Sequence, residues 1–365
     1  MNDKIKLLIL QLEVPNYRIP IFNYLSEIFD LTVACSKKIA FEQQCKFKTK
    51  LLPYRNVSKF LIHKDDIQAL AEEFDVVVYL GNIAILKYAL LPFKCHRKYK
   101  TIVWTIGVSA SYSKRYDENH KWDFIRDFFY KKSDACLFYT DYPIKKYINR
   151  GFVKESLFVA CNTVEIIDTL EKQNKDTLLF IGSLYKQKGI IDLLEAYYEA
   201  YKIVPTIPCL NIIGKGEEYD NIKQWIKGKN LESKIVLLGP IYDYSKKEMY
   251  FKKALATISP NQAGLSVLES MGYGTPFVTS KDAITGGERF NIQDGKTGVL
   301  YDSKSDLVNV IIDIANNPQK YIEMGECAAK YYRKNRTPQK MVQGFVDAIN
   351  YVMGIERRQV DCYLE

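Results

Sequence analysis

The chain has 365 residues, 47% of them hydrophobic and 26% charged, and a formal net charge of +9. That length suits two domains of ordinary size, and the composition excludes an intrinsically disordered chain. The charge is uneven: residues 1–165 hold 26 Lys and Arg against 18 Asp and Glu, whereas residues 166–365 hold 26 against 25. A basic first half suits an anionic partner (a membrane surface, a phosphorylated lipid or nucleic acid) or is simply a Lys-biased solvated surface.

The eight cysteines show no metal-finger spacing and no Cys-x-x-Cys, and read as reduced, mostly buried thiols. The apolar run from Leu7 to Leu10 behind Lys4 and Lys6 is too short for a secretion signal. The most hydrophobic stretch, 76–92, is broken by Asn82 and Lys87 and falls short of the roughly 20 apolar residues of a spanning helix. The expectation is a cytoplasmic protein, either soluble or peripherally attached at the inner face of the cell membrane.

In chain order, residues 5–11 form a buried strand, and 19–28 a helix with Pro20 in its first turn. Strands follow at 31–35, 76–80 and 101–106. Residues 122–132 read as an amphipathic helix, 135–139 as a strand, and 142–150 as a helix stopped at Gly151. The polar stretch 171–176 reads as a linker, and then the pattern restarts. Strands are expected at 178–181, 209–213, 235–238, 254–259 and 277–280. Helices are expected at 190–201, 219–228, 245–252, 265–271, 306–316, 318–334 and 341–353. Apolar strands alternating with helices predict parallel sheets covered on both faces. The fold class is therefore α/β: two successive Rossmann-like, doubly wound domains facing a cleft, with ligands at the carboxyl ends of the strands.

The most informative segment is 259–276, Ser-Pro-Asn-Gln-Ala-Gly-Leu-Ser-Val-Leu-Glu-Ser-Met-Gly-Tyr-Gly-Thr-Pro. It reads strand, tight loop, short helix, glycine stop. Gly264 lets the backbone approach a ligand. Leu265 and Ser266 open the helix, where unpaired N–H groups can hold a phosphate. Glu269 follows within reach of a ligand hydroxyl. This segment resembles family 4 of the GT-B glycosyltransferases, the retaining, nucleotide-sugar-dependent group. Members show a Glu, seven residues and a second Glu, with Gly-Leu between. Glu269 falls at the second, whose family role is to bind the donor ribose. Asn261 stands at the first, a departure that removes a charge.

Segment 180–196, Phe-Ile-Gly-Ser-Leu-Tyr-Lys-Gln-Lys-Gly-Ile-Ile-Asp-Leu-Leu-Glu-Ala, is similar to the family's strand–loop–helix. Lys188 matches its diphosphate-binding lysine, which would neutralise charge on the leaving nucleotide. Ser183 occupies the usual Arg position, where Lys186 offers a nearby cation. Gly214, in Ile-Ile-Gly-Lys-Gly-Glu-Glu at 212–218, is similar to the family's turn lining the nucleotide-base pocket. A dinucleotide fingerprint is the other reading there, but the third Gly is missing and the strand does not open a unit. Residues 285–300 resemble the family's closing segment, with a Gly pair near the donor and a turn at 294–298.

In the first half, Tyr17 and Arg18 lie in Pro-Asn-Tyr-Arg-Ile-Pro-Ile-Phe-Asn-Tyr-Leu at 15–25, which resembles relatives that build bacterial surface polysaccharides. They are expected at the cleft mouth, where an anionic acceptor or a donor phosphate would meet Arg18. Relatives often carry a His near Ile106; His120 is the candidate substitute. Cys161-Asn-Thr-Val164 resembles the family's turn at the domain junction.

The resemblance implies an acceptor-binding domain at 1–165 and a donor-binding domain at 166–340, with a helix and tail at 341–365 crossing back to the first. It implies transfer of a sugar, with retention and without a metal or other cofactor. The donor is a UDP- or GDP-sugar and the acceptor a glycan or lipid-linked oligosaccharide, with peripheral contact to an anionic membrane. A second expectation, motivated by Asn261, Ser183 and Ile106, is a catalytically weak subunit supporting a partner transferase. Nucleic-acid binding is disfavoured, since no recognisable module is present.

Overall fold

The computed structural model describes residues 4–109, 116–117 and 123–355. They divide into two compact units: residues 4–109, 117, 123–163 and 337–355 form one, and Tyr116 with Val164–Arg336 the other. His120 lies outside the described residues.

The first unit runs β1 (Lys6–Gln11), α1 (Ile19–Ile28), β2 (Asp30–Cys35), β3 (Lys48–Leu51), β4 (Tyr54–Val57), β5 (Phe60–His63), α2 (Ile67–Ala71) and β6 (Val76–Leu80). It continues with α3 (Leu86–Ala89), β7 (Lys100–Thr105), α4 (Asp123–Tyr130), β8 (Ala135–Phe138), α5 (Ile144–Asn149) and β9 (Leu157–Val159). Seven strands form one parallel sheet in the order β3-β2-β1-β6-β7-β8-β9, while β4 and β5 make a separate hairpin. Helices cover both faces, so the strands are apolar throughout rather than alternating. Leu7 and Ile9 enter one core with Phe22, Trp104 and Phe345; Leu8 and Leu10 enter the other with Tyr79, Phe138 and Tyr147.

The second unit runs β10 (Thr177–Ile181), α6 (Ile190–Ile203), β11 (Cys209–Ile213), α7 (Tyr219–Gly228), β12 (Ile235–Gly239), α8 (Tyr244–Lys253), β13 (Ala254–Ile258) and β14 (Gln262–Ala263). Then come α9 (Ser266–Gly272), β15 (Phe277–Ser280), β16 (Ile284–Thr285), β17 (Gly298–Tyr301), α10 (Lys304–Asn316) and α11 (Pro318–Asn335). Six strands make a parallel sheet, β12-β11-β10-β13-β15-β17, and β14 pairs with β16 beside it. A Ser303–Asp306 capping box opens α10.

The last helix, α12 (Pro338–Met353), belongs to the first unit. Thr337 caps it and left-handed Gly354 ends it. Met341, Val342, Phe345 and Ile349 enter the core around α1. Gly344 faces β9 so closely that a Cβ there would stand 2.1 Å from the Val159 carbonyl oxygen.

The polar stretch read as a linker, 171–176, is held within the second unit: Glu248 grips the two residues ahead of it and Lys175 anchors it from inside. Glu248 on α8 is fully buried and accepts from the Thr169 and Leu170 N–H groups at 2.8 and 2.6 Å, from the Thr169 hydroxyl, and from Lys252. Burial alone would push its carboxyl up; these donors outweigh it and hold the group below the ordinary glutamate range. Five residues on, the Lys175 ammonium donates to the Ala254 carbonyl at 2.9 Å and the Thr275 hydroxyl at 3.0 Å. Its pKa falls to about 8, through burial first and then the charges of Lys172 and Lys252.

The helix expected over 122–132 ends at Tyr130: Lys131 still donates to Asp127, but Lys132 donates to Phe129, a tightened last turn. No helix among the described residues is long and apolar enough to cross a membrane.

Two outcomes test these contacts. Helix propensity alone makes Gly344→Ala stabilising by about 1 kcal/mol; the clash with Val159 reverses the sign, so denaturant titration should show a loss of about 3 kcal/mol. Because the Glu248 pKa is depressed, its contribution is present above the unfolded value near 4.5 and fades as pH falls through the folded one. Stability-versus-pH curves of Glu248→Gln should therefore lose part of the acid-side slope.

Candidate active site

Three loops at the carboxyl ends of β10, β11 and β13 assemble the predicted donor residues of the second unit. After β10 the chain passes Gly182, whose N–H donates to Ile213, and Leu184, whose N–H donates to Lys215. The loop after β11 lies directly on it. A Cβ at Gly214 would come within 1.9 Å of the Gly182 oxygen, and one at Gly216 within 2.3 Å of the Leu184 oxygen. Gly214 is thus a glycine because two backbones touch there. Ser183 is half-buried between them.

Residues Lys186–Lys188 then form a 3₁₀ turn closed by left-handed Gly189 at φ 70°, which opens α6. The Lys188 side chain folds back over the loop: a Cβ on Gly182 would be 3.4 Å from its Nζ. It is half-buried, and burial alone pulls its pKa below the ordinary lysine value. Among the described residues its ammonium has no hydrogen-bond or ion-pair partner. A desolvated cation without a counter-ion is a site for an anion.

The third loop locks onto the same turn. Asn261 donates its backbone N–H to the Lys188 oxygen at 3.3 Å, donates its amide to Asp192 on α6 at 3.1 Å, and accepts from the Ile284 N–H at 2.9 Å. Asn261 and Gly189 touch as well, since a Cβ on Gly189 would meet the Asn261 amide nitrogen at 2.3 Å. Asn261 therefore braces the lysine turn from across the sheet edge. Beyond it, Gly264 has open space around its Cα. Its N–H and those of Leu265 and Ser266 find no acceptor among the described residues, as expected at a helix start.

Glu269 stands in the first turn of α9, and its carboxylate meets Lys247 of α8, Nζ to Oε1, at 2.6 Å. Both side chains are under one-fifth exposed, 17% and 18%. The Lys247 ammonium also lies 4.9 Å over the Tyr244 ring. Lys247 was not singled out from the sequence. It lies 22 residues before Glu269 on another helix, so no motif spacing joins the two. The Gly pair at 286–287 is already engaged: Gly286 donates to Glu288 at 2.9 Å and Gly287 to the Thr285 hydroxyl at 3.0 Å.

Tyr17 and Arg18 belong to the first unit. Arg18, expected at a cleft mouth, is 6% exposed. Its guanidinium is packed against Trp104, Tyr139 and Tyr17, with ring centroids at 4.5, 5.1 and 5.3 Å. Among the described residues no group of three or more His, Cys, Asp or Glu is placed to hold a metal ion.

The architecture, two parallel-sheet Rossmann-like units, is the GT-B fold. The Anabaena protein HepE, solved in complex with UDP, superposes with a TM-score of 0.72 at 15% identity, covering 95% of this chain and 100% of that one. The family model for glycosyl transferases group 1 matches residues 163–331, most of the second unit. Trehalose synthase of Pyrococcus horikoshii is 24% identical over 290 residues, 73% of this chain and 67% of that protein. An uncharacterised glycosyltransferase of Haemophilus influenzae is 26% identical over 170 residues, 45% of this chain and 46% of its own. The chain thus spans about two thirds of one curated relative and under half of the other. Together the comparisons support a glycosyltransferase of GT-B fold.

The geometry separates two kinds of glycine. Gly214→Ala should cost about 3 kcal/mol in unfolding titrations because of the Gly182 contact, whereas Gly264→Ala, with open space around it, should fall within about 0.5 kcal/mol of the unsubstituted protein.

Proposed function

We propose that the chain is a retaining, metal-independent family 4 glycosyltransferase. It moves a sugar from a UDP- or GDP-sugar to a hydroxyl of a glycan or lipid-linked oligosaccharide, in the assembly of a bacterial surface polysaccharide. The observation that carries this reading is the half-buried Lys188, whose ammonium has no partner among the described residues, at the same sheet edge as the N–H groups of Gly264, Leu265 and Ser266, which find no acceptor among them either. A diphosphate supplies both the negative charge and the acceptors that these groups lack. HepE bound to UDP on the same fold is consistent with it.

In this mechanism the pyrophosphate rests on Lys188 and the α9 start. Glu269, with Oε1 held by Lys247, turns Oε2 to a ribose hydroxyl. The bond from the anomeric carbon to the diphosphate oxygen breaks, and the bond to the acceptor oxygen forms on the same face. The acceptor proton passes to the leaving phosphate oxygen, so no protein base is required. Charge gathers on the diphosphate as the ring becomes oxocarbenium-like, and Lys188 stabilises that charge. The basic first half takes the acceptor at the inner face of an anionic membrane.

The alternative, a weakly catalytic subunit supporting a partner transferase, is favoured by one observation: the Asn261 amide is committed to Asp192.

A screen of UDP- and GDP-sugars for binding and slow hydrolysis decides between them. One donor should bind and turn over. Glu269→Ala should weaken its binding by about tenfold or more. Lys188→Ala should lower turnover by roughly 10²–10³. If no nucleotide sugar binds at millimolar concentration, the transferase reading fails and the subunit reading stands.

A further inference from the structure

The sheet of the first unit reverses its winding between β1 and β6: β2 and β3 extend it one way, β7 to β9 the other. Ligands of open parallel sheets bind outside the carboxyl ends of the strands at such a reversal. Arg18 sits in the segment leaving β1, immediately before α1. Trp104 stands near the end of β7, and Tyr139 directly follows β8.

Arg18 as a whole residue is 6% exposed, and three aromatic ring centroids lie within 5.3 Å of its guanidinium carbon. Rings compensate the charge across the faces of the group but accept nothing in its plane. That plane carries five N–H donors. Among the described residues the polar contact of the side chain is Nη1 to the Met341 sulfur at 3.5 Å, a weak acceptor. Among the described residues it has no oxygen acceptor and no carboxylate. The Trp104 indole N–H, on the ring that Arg18 covers, is buried and without a partner among the described residues. A mostly enclosed guanidinium with no anion among the described residues, set against a ring whose N–H is buried and unmet, favours the entry of an oxyanion. The three surrounding rings crowd the guanidinium, whose planar fork suits two parallel N–H···O bonds to a carboxylate or phosphate.

We propose that Arg18, walled by Trp104, Tyr139 and Tyr17, is a receptor for an oxyanion, and that the acceptor sugar or headgroup taken by the first unit carries a carboxylate or a phosphate. The word acceptor rests on the transferase reading; the oxyanion site does not.

The test is calorimetric titration of the full chain, at fixed ionic strength, with glucuronate, glycerol 3-phosphate and glucose, read alongside tryptophan fluorescence. At least one anion should bind about tenfold or more tighter than glucose and change the emission. Arg18→Met should abolish that preference, and Arg18→Lys should keep a weaker, less selective form of it. The ratio of glucuronate to glycerol 3-phosphate affinity tells carboxylate from phosphate. No preference in the unsubstituted protein, an unchanged preference in Arg18→Met, or loss of the anion signal on saturation with UDP would each overturn the proposal. If Arg18→Met does not fold, the anion preference of the unsubstituted protein and its change in Arg18→Lys still decide. UDP binding measured in parallel keeps the two ideas apart. UDP without oxyanion binding sinks this inference alone; oxyanion without UDP binding sinks the transferase reading alone.

Discussion

A sheet whose strands all run the same way gathers every carboxyl end along one edge. Both units are built on that constraint. The strands must be apolar on both faces because helices cover both, so polar chemistry is driven to the loops at that edge. In the second unit those loops do not hang free. The turns after β10 and β11 touch through Gly182 and Gly214, and the turn after β13 is tied to Lys188 by Asn261. The placement of each candidate residue depends on its neighbours in the adjacent loop.

Rigid backbone explains how a cation can be kept without a partner. Lys188 loses hydration and gains no counter-charge from the described residues. Such a state persists when the surrounding turn is over-determined, here by left-handed Gly189 and by the Asn261 bonds to Lys188 and Asp192. Asn261 thereby acquires a role that its chemistry alone does not announce. At that position an amide can donate to Asp192, which a carboxylate cannot do. The departure from the family pattern and the Asp192 contact belong to one arrangement.

Much of the fold was legible because the buried strands are continuous apolar runs and the helices carry clear stops. Ile19–Ile28, Val76–Leu80 and Tyr219–Gly228 have the bounds that the pattern indicates. What escaped the reading was exposed or very short. Lys48–Leu51 and the hairpin strand Tyr54–Val57 are mostly solvent-facing, so no apolar run marks them, and the apolar run of Phe60–His63 is only three residues long. Gly298–Tyr301 follows a turn and is only four residues long. At the candidate site, motif spacing located Lys188 and Glu269, but the Lys247 pairing is a tertiary contact between two helices. Arg18 was noticed for its charge, and its burial could not be read, because the rings around it come from β7, the residue after β8 and its own neighbour.

The docking of α12 has a consequence for how the molecule comes into being. The first unit begins with the earliest strand of the chain, yet one wall of its core is made of Met341, Val342, Phe345 and Ile349. During synthesis, which delivers the chain from its N-terminus at roughly 5–20 residues per second, the sheet carrying Leu7 and Ile9 emerges long before that wall exists. The second unit, continuous over Val164–Arg336, has its strands and helices in place sooner. The unit begun first is finished last, and until its closing helix arrives the apolar face around Phe22 and Trp104 stays open to whatever chaperone or neighbouring chain is at hand.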